Sequence, residues 1–202
     1  MEIKRKIRKE MRNMRNGISN DEVLYMSMCI CKKLSKLKPE AEYENILLYS
    51  AINNETDLTE YYRYLKENNK KIFFPKVSGD TMEFYQVTGY EEMKKGSFSI
   101  MEPVADENKC FQEDDRALMI VPGVAFSTDR YRIGYGKGYY DKYLSCHLAI
   151  DTIGVCYDFQ LTNEKINDKH DVRLGGIITE KREVFGNDWF GKIMQRGSWG
   201  KT

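Results

Sequence analysis

Apolar residues in the first third of the chain recur at helical spacing. Ile3, Ile7, Met11 and Met14 mark a narrow stripe through residues 2–15, and Gly17 ends it. Ser19-Asn20-Asp21-Glu22 has the form of a capping box, in which a hydroxyl and a carboxylate three residues apart satisfy the free N–H groups of a helix start. The helix that follows is expected to bury Leu24, Met28, Cys31, Leu34 and Leu37, and Pro39 closes it. Asp57 and Glu60 predict another capping box, ahead of a helix with Leu58, Tyr61, Tyr62 and Leu65 on one face.

Elsewhere the pattern is that of strands. Residues 45–50 (NILLYS) and 117–121 (ALMIV) are nearly unbroken apolar runs, as in strands covered on both faces. Residues 71–75, 81–87, 151–157 and 176–179 read as further strands, and in 81–87 Met82 and Phe84 share a face opposite Glu83 and Tyr85. Residues 106–116 are densely charged and predict a surface loop. Strands separated by helices predict an α/β fold with both faces of the sheet covered. The tail from Glu183 onward receives no element, and no internal repeat interrupts the chain.

Composition narrows the classes. A length of 202 residues suits one domain, 1–202, with a sizeable core. With 41% hydrophobic and 31% charged residues, the chain is expected to be globular rather than disordered. The longest nearly apolar run, Ala117 to Phe126, holds Pro122 and Gly123 and is too short to span a bilayer. The charged N-terminus has no apolar segment behind it, so no secretory signal is expected. Cys29, Cys31, Cys110, Cys146 and Cys156 form no C-x-x-C pair and read as reduced thiols of a cytoplasmic protein. The only histidines, His147 and His170, lack the spacing of a structural zinc site. The 32 Lys and Arg against 31 Asp and Glu leave a net charge of +1 and no general case for a nucleic-acid partner. The basic helix at 2–15 reads by charge alone as a solvated face.

The segment from Val121 to Leu144 carries the chemistry. It leaves the end of a buried strand, where ligands of open α/β sheets bind. Arg132, Gly134, Gly136, Lys137 and Gly138 put two cations and three glycines within seven residues. Glycine lets backbone N–H groups approach a phosphate, Lys137 adds a point charge, and Arg132 adds a planar fork. Asp141, close behind, is the kind of lone carboxylate that Mg²⁺ uses beside a phosphate. The segment is neither a Walker A loop nor G-x-G-x-x-G, since Gly138 follows Lys137 and Tyr139 stands where the third glycine belongs. Glycine counting alone leaves an ordinary turn equally open. Glu55 read alone is a loop carboxylate, and Asp171 is as readily a cap or turn residue as a ligand.

The whole segment closely resembles the signature of the 5-formyltetrahydrofolate cyclo-ligase family. Pro122-Gly123-Val124-Ala125-Phe126 matches its Pro-Gly-x-Ala-Phe, and Arg132 through Asp141 matches its Arg-x-Gly-x-Gly-x-Gly-Tyr-Tyr-Asp. Lys4 and Arg8 match its N-terminal Lys-x-x-x-Arg. Tyr49 and Glu55, Phe74-Pro75-Lys76-Val77, Met82 and Phe84, Ile100-Met101-Glu102-Pro103, Gly154-Val155 with Gln160, His170-Asp171 and Ile178-Thr179-Glu180 follow in its order. The likeness covers about residues 2–181. Leu58 stands where many members have Thr, and Asn167-Asp168-Lys169 replace a usual Pro.

The resemblance implies a three-layer α/β/α domain around a mixed, largely parallel sheet, in the broad class of sugar-phosphate isomerases and CoA transferases. It implies ATP- and Mg²⁺-dependent closure of 5-formyltetrahydrofolate to 5,10-methenyltetrahydrofolate through a phosphorylated formyl group. It assigns Lys137, Arg132 and Glu55 to catalysis. ATP would meet Lys4, Arg8, Arg132, Gly134, Tyr135, Gly136, Lys137, Gly138, Tyr139 and Tyr140. The folate would meet Ser50, Glu55, Met82, Phe84, and residues 135–139: Tyr135, Gly136, Lys137, Gly138 and Tyr139. Asp141 and Asp171 would hold Mg²⁺. The expected partners are small molecules, with no nucleic acid or membrane, on a monomer or homodimer. The alternative is a non-catalytic relative that binds nucleotide or RNA on the same fold.

Overall fold

The computed structural model describes residues 2–96, 100–112, 115–187 and 189. Five parallel strands form the centre of a seven-stranded sheet: β1 (Asn45–Leu47), β2 (Lys71–Ser78), β6 (Ala117–Val121), β9 (Ile150–Val155) and β11 (Gly176–Ile178). β3 (Thr81–Gln86) pairs antiparallel to β2 at one edge, and β12 (Glu183–Phe185) antiparallel to β11 at the other. The order is β12-β11-β9-β6-β1-β2-β3. Two short ribbons flank the sheet: β4 (Met93–Lys95) with β5 (Met101–Pro103), and β7 (Ala125–Ser127) with β8 (Arg132–Ile133) and β10 (Leu161–Thr162).

Strand alternation sorts the core into two layers. Leu118, Ile120, Ile46 and Phe74 face the helices α2 (Asn20–Leu37) and α3 (Thr59–Glu67), meeting Ile30, Leu34, Tyr61 and Leu65. Met119, Val121, Leu47 and Phe73 face the opposite way, toward Tyr143 and Leu144 of α4 (Tyr139–Cys146). The result is the three-layer α/β/α architecture expected. Helix α1 (Glu2–Gly17) joins neither layer. Ile7 packs against Ala125, Ile133 and Ile166, over the loops beyond the strand ends. Among the described residues, no helix is long and apolar enough to cross a membrane.

The capping box at the start of α2 forms as read: the Ser19 hydroxyl accepts from the Glu22 N–H, and the Glu22 carboxylate accepts from the Ser19 N–H. The predicted buried stripe of that helix holds at Cys31, Leu34 and Leu37 and fails at Leu24 and Met28. Leu24 and Met28 are 60% and 53% exposed, and the buried positions are Ser27, Ile30, Cys31 and Leu34. Ser27 turns inward because its hydroxyl accepts from the Asp57 N–H at 3.0 Å and lies 3.4 Å from the Tyr157 hydroxyl. The capping box predicted at Asp57 does not form either. Leu58 precedes the helix with no side-chain cap, the Asp57 carboxylate accepts from the Thr59 N–H, and Glu60 pairs with Arg63. Strand β12 lies in the tail left unassigned from sequence, and Trp189 is buried nearby, whereas Phe190, Gly197 and Trp199 lie outside the described residues.

Gln160 ties the fold to the loop that leaves β6. Its carbonyl accepts from the Tyr157 N–H, and its amide donates to the carbonyls of Gly123 at 3.1 Å and Val124 at 2.9 Å. Because the group is buried, Gln160→Ala is expected to destabilise the protein by about 2–3 kcal/mol through unpaired polar atoms. Denaturant unfolding checks this, with a lower midpoint at unchanged slope expected. A cost under about 0.5 kcal/mol, the size of an ordinary surface change, would show that the bonds are replaceable.

Candidate active site

The chain reverses its direction of sheet growth between β1 and β6. From β1 it passes through α3 to β2 on one side, while β6, β9 and β11 run to the other. The loops leaving β1 and β6 therefore diverge above a crevice at the carboxyl edge of the sheet, which is where doubly wound sheets bind ligands. The first of these loops carries Glu55. The second runs from Pro122 through β7 and β8 to the glycine segment and α4.

Arg132 anchors the glycine segment from beneath. It is buried, donates from Nη2 to Asp141 Oδ2 at 2.9 Å, and lies 5.1 Å from the Tyr140 ring centre. A Cβ at Gly134 would come within 2.7 Å of the Arg132 guanidinium, so a side chain here would push Arg132 off its position. Gly136 has φ +109°, another conformation a side chain would strain. These constraints lift Tyr135, Gly136 and Lys137 into solvent before Gly138 caps α4. Lys137 makes no hydrogen bond or ion pair among the described residues. Arg132 Nε is buried without a partner.

Across the crevice, Glu55 is 6% exposed. Its Oε2 accepts from the Ile52 N–H at 3.1 Å, and its Oε1 accepts from the Tyr135 hydroxyl at 3.0 Å. Burial pushes its carboxyl up to about 7, against the opposing pull of Arg15 and these two donors. Burial and the Glu55 charge raise the Tyr135 phenol in turn. The bond between Glu55 and Tyr135 joins positions eighty residues apart and closes one side of the site.

Helix α1 lies over the mouth. Arg8 Nε donates to the Gly134 carbonyl at 2.8 Å, and Lys4 pairs with Asp168 at 2.7 Å and with Asp171. Its inward face is thus Lys4, Ile7, Arg8, Met11 and Arg15, not the stripe of Ile3 and Met14, which are 41% and 48% exposed. One buried isoleucine contributes about 1.5–3 kcal/mol, so the helix is held as much by its paired cations as by its apolar stripe.

The other site residues named from the sequence fall into three groups. Tyr139 donates to the Gly79 carbonyl at 3.0 Å, linking α4 to the β2–β3 hairpin, and Tyr140 lies under the glycine segment on Arg132. Ser50, beside the Glu55 loop, donates to the Met101 carbonyl at 2.6 Å. Met82 and Phe84 share a face as the alternation predicts, but that face is the core: Phe84 is fully buried against Tyr143, with ring centres 5.0 Å apart. These two back the site wall rather than open onto it. Asp141 and Asp171 are each bonded to a named cation, Arg132 and Lys4. Asp141 Oδ1 has one long contact, 3.4 Å from the Val172 N–H. Among the described residues, no group of three or more His, Cys, Asp or Glu is placed to enclose a metal.

The sequence reading missed Arg15. It is 1% exposed, with Nη1 donating to the Gly123 carbonyl at 3.2 Å and lying 3.7 Å from Glu55 Oε1. Its signal was present in the spacing, since Arg15 follows Arg8 by seven residues and so returns to the same helix face. The reading also missed Arg12, whose guanidinium lies 6.0 Å from the Tyr135 ring centre.

Comparisons with known proteins agree with this fold. The model of the 5-formyltetrahydrofolate cyclo-ligase family matches residues 1–180. The 5-formyltetrahydrofolate cyclo-ligase of Mycoplasma pneumoniae is 29% identical over 181 residues, covering 88% of this chain and 99% of its own. A probable 5-formyltetrahydrofolate cyclo-ligase of Schizosaccharomyces pombe is 30% identical, covering 78% of this chain and 85% of its own. The solved structure of Aquifex aeolicus 5,10-methenyltetrahydrofolate synthetase superposes with a TM-score of 0.77 at 32% identity, covering 91% of this chain and 92% of its own. With this sheet order, this glycine segment and a family match over nearly the whole chain, the protein belongs to the 5-formyltetrahydrofolate cyclo-ligase family.

Proposed function

We propose that the chain closes 5-formyltetrahydrofolate to 5,10-methenyltetrahydrofolate, using ATP and Mg²⁺ and releasing ADP and phosphate. Family membership supports the activity and, with it, ATP as co-substrate. The observation that carries the site is the bond from Tyr135 to Glu55, which brings the glycine segment against the carboxylate assigned to the folate.

The formyl oxygen attacks the γ-phosphorus of ATP, breaking its bond to the ADP oxygen and leaving an imidate phosphate on N5. N10 then attacks the activated carbon, loses its proton, and expels phosphate that carries the former formyl oxygen. Transfer of a phosphoryl group demands positioning and charge neutralisation more than covalent work by the protein. Arg132, Lys137 and the amides of 134–138 hold the triphosphate, with Lys4 and Arg8 reaching in from α1. The orphaned Arg132 Nε is a buried donor suited to an anion.

Asp141 and Asp171 suit Mg²⁺, which takes one or two carboxylates and completes its shell with phosphate and water. Bound there, the ion would offset charge on the phosphate oxygens. Each carboxylate neutralises a phosphate-binding cation in the present structure, so Mg²⁺ and triphosphate together would keep every charge matched. Glu55, poised near 7, accepts the N10 proton as the ring closes. Tyr135, Tyr139 and Ser50 face the pterin, with Tyr140, Met82 and Phe84 packed behind. The activity is proposed for a cytoplasmic protein.

The test is direct. Wild-type protein given 5-formyltetrahydrofolate, Mg²⁺ and ATP should produce the methenyl compound's near-UV absorbance, with ADP and phosphate formed in equal amounts. Product without nucleotide, or none with it, would reject the reading.

A further inference from the structure

We infer that Arg15 is a positioning residue of this site, holding Glu55 and Tyr135 in one geometry across the two loops of the crevice. The inference rests on the ring-closing reading above. Arg15 belongs to α1, far from the glycine segment in sequence, yet its side chain meets every loop of the crevice. Nη1 donates to the Gly123 carbonyl just beyond β6, and Nη2 donates to the Tyr135 hydroxyl, which in turn donates to Glu55. The Arg15 backbone carbonyl accepts from Asn54 Nδ2 at 3.0 Å, fixing the residue next to Glu55 from the other side. Asn53 and Asn54 both stand at left-handed φ, +49° and +56°, which asparagine tolerates, and form the turn that presents Glu55.

A planar fork serves a carbonyl and a hydroxyl at fixed separation while it faces a carboxylate, at less entropic cost than a lysine. The ionisable groups facing Glu55 are Arg15 from α1, Tyr135 from the glycine segment, Tyr49 beyond β1, Tyr140 from α4 and Tyr157 beyond β9. Four are phenols, and among the described residues Arg15 is the one cation that acts on Glu55. An opposite charge favours the ionised carboxylate, so removing it lets burial drive Glu55 further toward the neutral acid. Arg15 Nε has no partner, so the residue is placed by its fork and not by its stem.

The experiment compares kcat and KM from pH 5.5 to 9.5 for the wild type, Arg15→Met and Arg15→Lys, alongside thermal midpoints. Arg15→Met should move the acid limb of kcat upward by about one pH unit. At neutral pH it should lower kcat by about ten- to a hundredfold, with KM for ATP little changed. Arg15→Lys restores the charge without the fork, so the limb should return toward that of the wild type while kcat stays about tenfold low. An active wild type with an unmoved limb in Arg15→Met, its losses confined to thermal stability, would overturn the inference and leave the functional reading intact. Should Arg15→Met fail to fold, Arg15→Lys decides: a wild-type rate would show that the fork is not needed. A wild type with no ATP-dependent product would overturn both.

Discussion

Glu55→Gln is expected to slow ring closure by about 10²–10⁴-fold, the usual worth of a positioned proton acceptor. The same change should flatten the dependence of stability on pH. A carboxyl raised from 4.5 to about 7 in the folded protein binds its proton more tightly there than in the unfolded chain. Its contribution is fully present below about pH 4.5 and is lost as pH rises through 7. The shift corresponds to about 3 kcal/mol across that window. Glutamine does not titrate, so the variant should gain on the wild type between pH 4.5 and 7 and hold a constant offset above. Denaturant unfolding at a series of pH values measures this independently of substrate. Parallel pH profiles for the two proteins would show that Glu55 has an ordinary carboxyl, and the acid–base role would fall with it.

Lys137→Met should give the second large effect, a loss of about 10²–10³-fold in kcat/KM for ATP, as when one fixed donor is removed from a developing charge. Lys137 is exposed on the lifted glycine segment and reaches no protein partner among the described residues. Stability should therefore change by no more than about 0.5 kcal/mol. This separation is what a structural lysine would not give. Arg132 could not serve here, because it is buried and paired with Asp141, so its loss would disturb fold and chemistry together. A Lys137→Met protein that uses ATP like the wild type would remove the lysine from the phosphate site.

What the sequence disclosed follows from the range over which each signal acts. The unbroken run Ala117–Val121 could only be a strand covered on both faces, and the Ser19–Glu22 box is a contact across one helical turn. The glycine segment was legible because its constraints are local, as Gly136 shows. The rotation of α2 was not. Its apolar residues occur nearly all round, and the choice between Leu24 and Ser27 fell to a hydroxyl whose partners lie in Asp57 and Tyr157. Strands of two or three residues, such as β7 and β8, are too short for a period and exist because neighbours pair with them. The pairing of Glu55 with Tyr135 and Arg15 joins elements that only the folded sheet brings together. For Met82 and Phe84, the alternation by itself favours a core face, which they occupy, and only the family resemblance gave them a ligand role.

On the proposed mechanism, the loops leaving β1 and β6 bind the two reactants against each other. A structure of the wild-type protein with a non-hydrolysable ATP analogue, Mg²⁺ and 5-formyltetrahydrofolate would show both at once. The terminal phosphate should lie on the amides of residues 134–138 with Lys137 closed over it, and the formyl group between that phosphate and Glu55. Phosphates bound instead along the outer basic groove of α1, formed by Arg5, Lys9 and Arg12, with Glu55 still sealed away from the folate, would contradict the account.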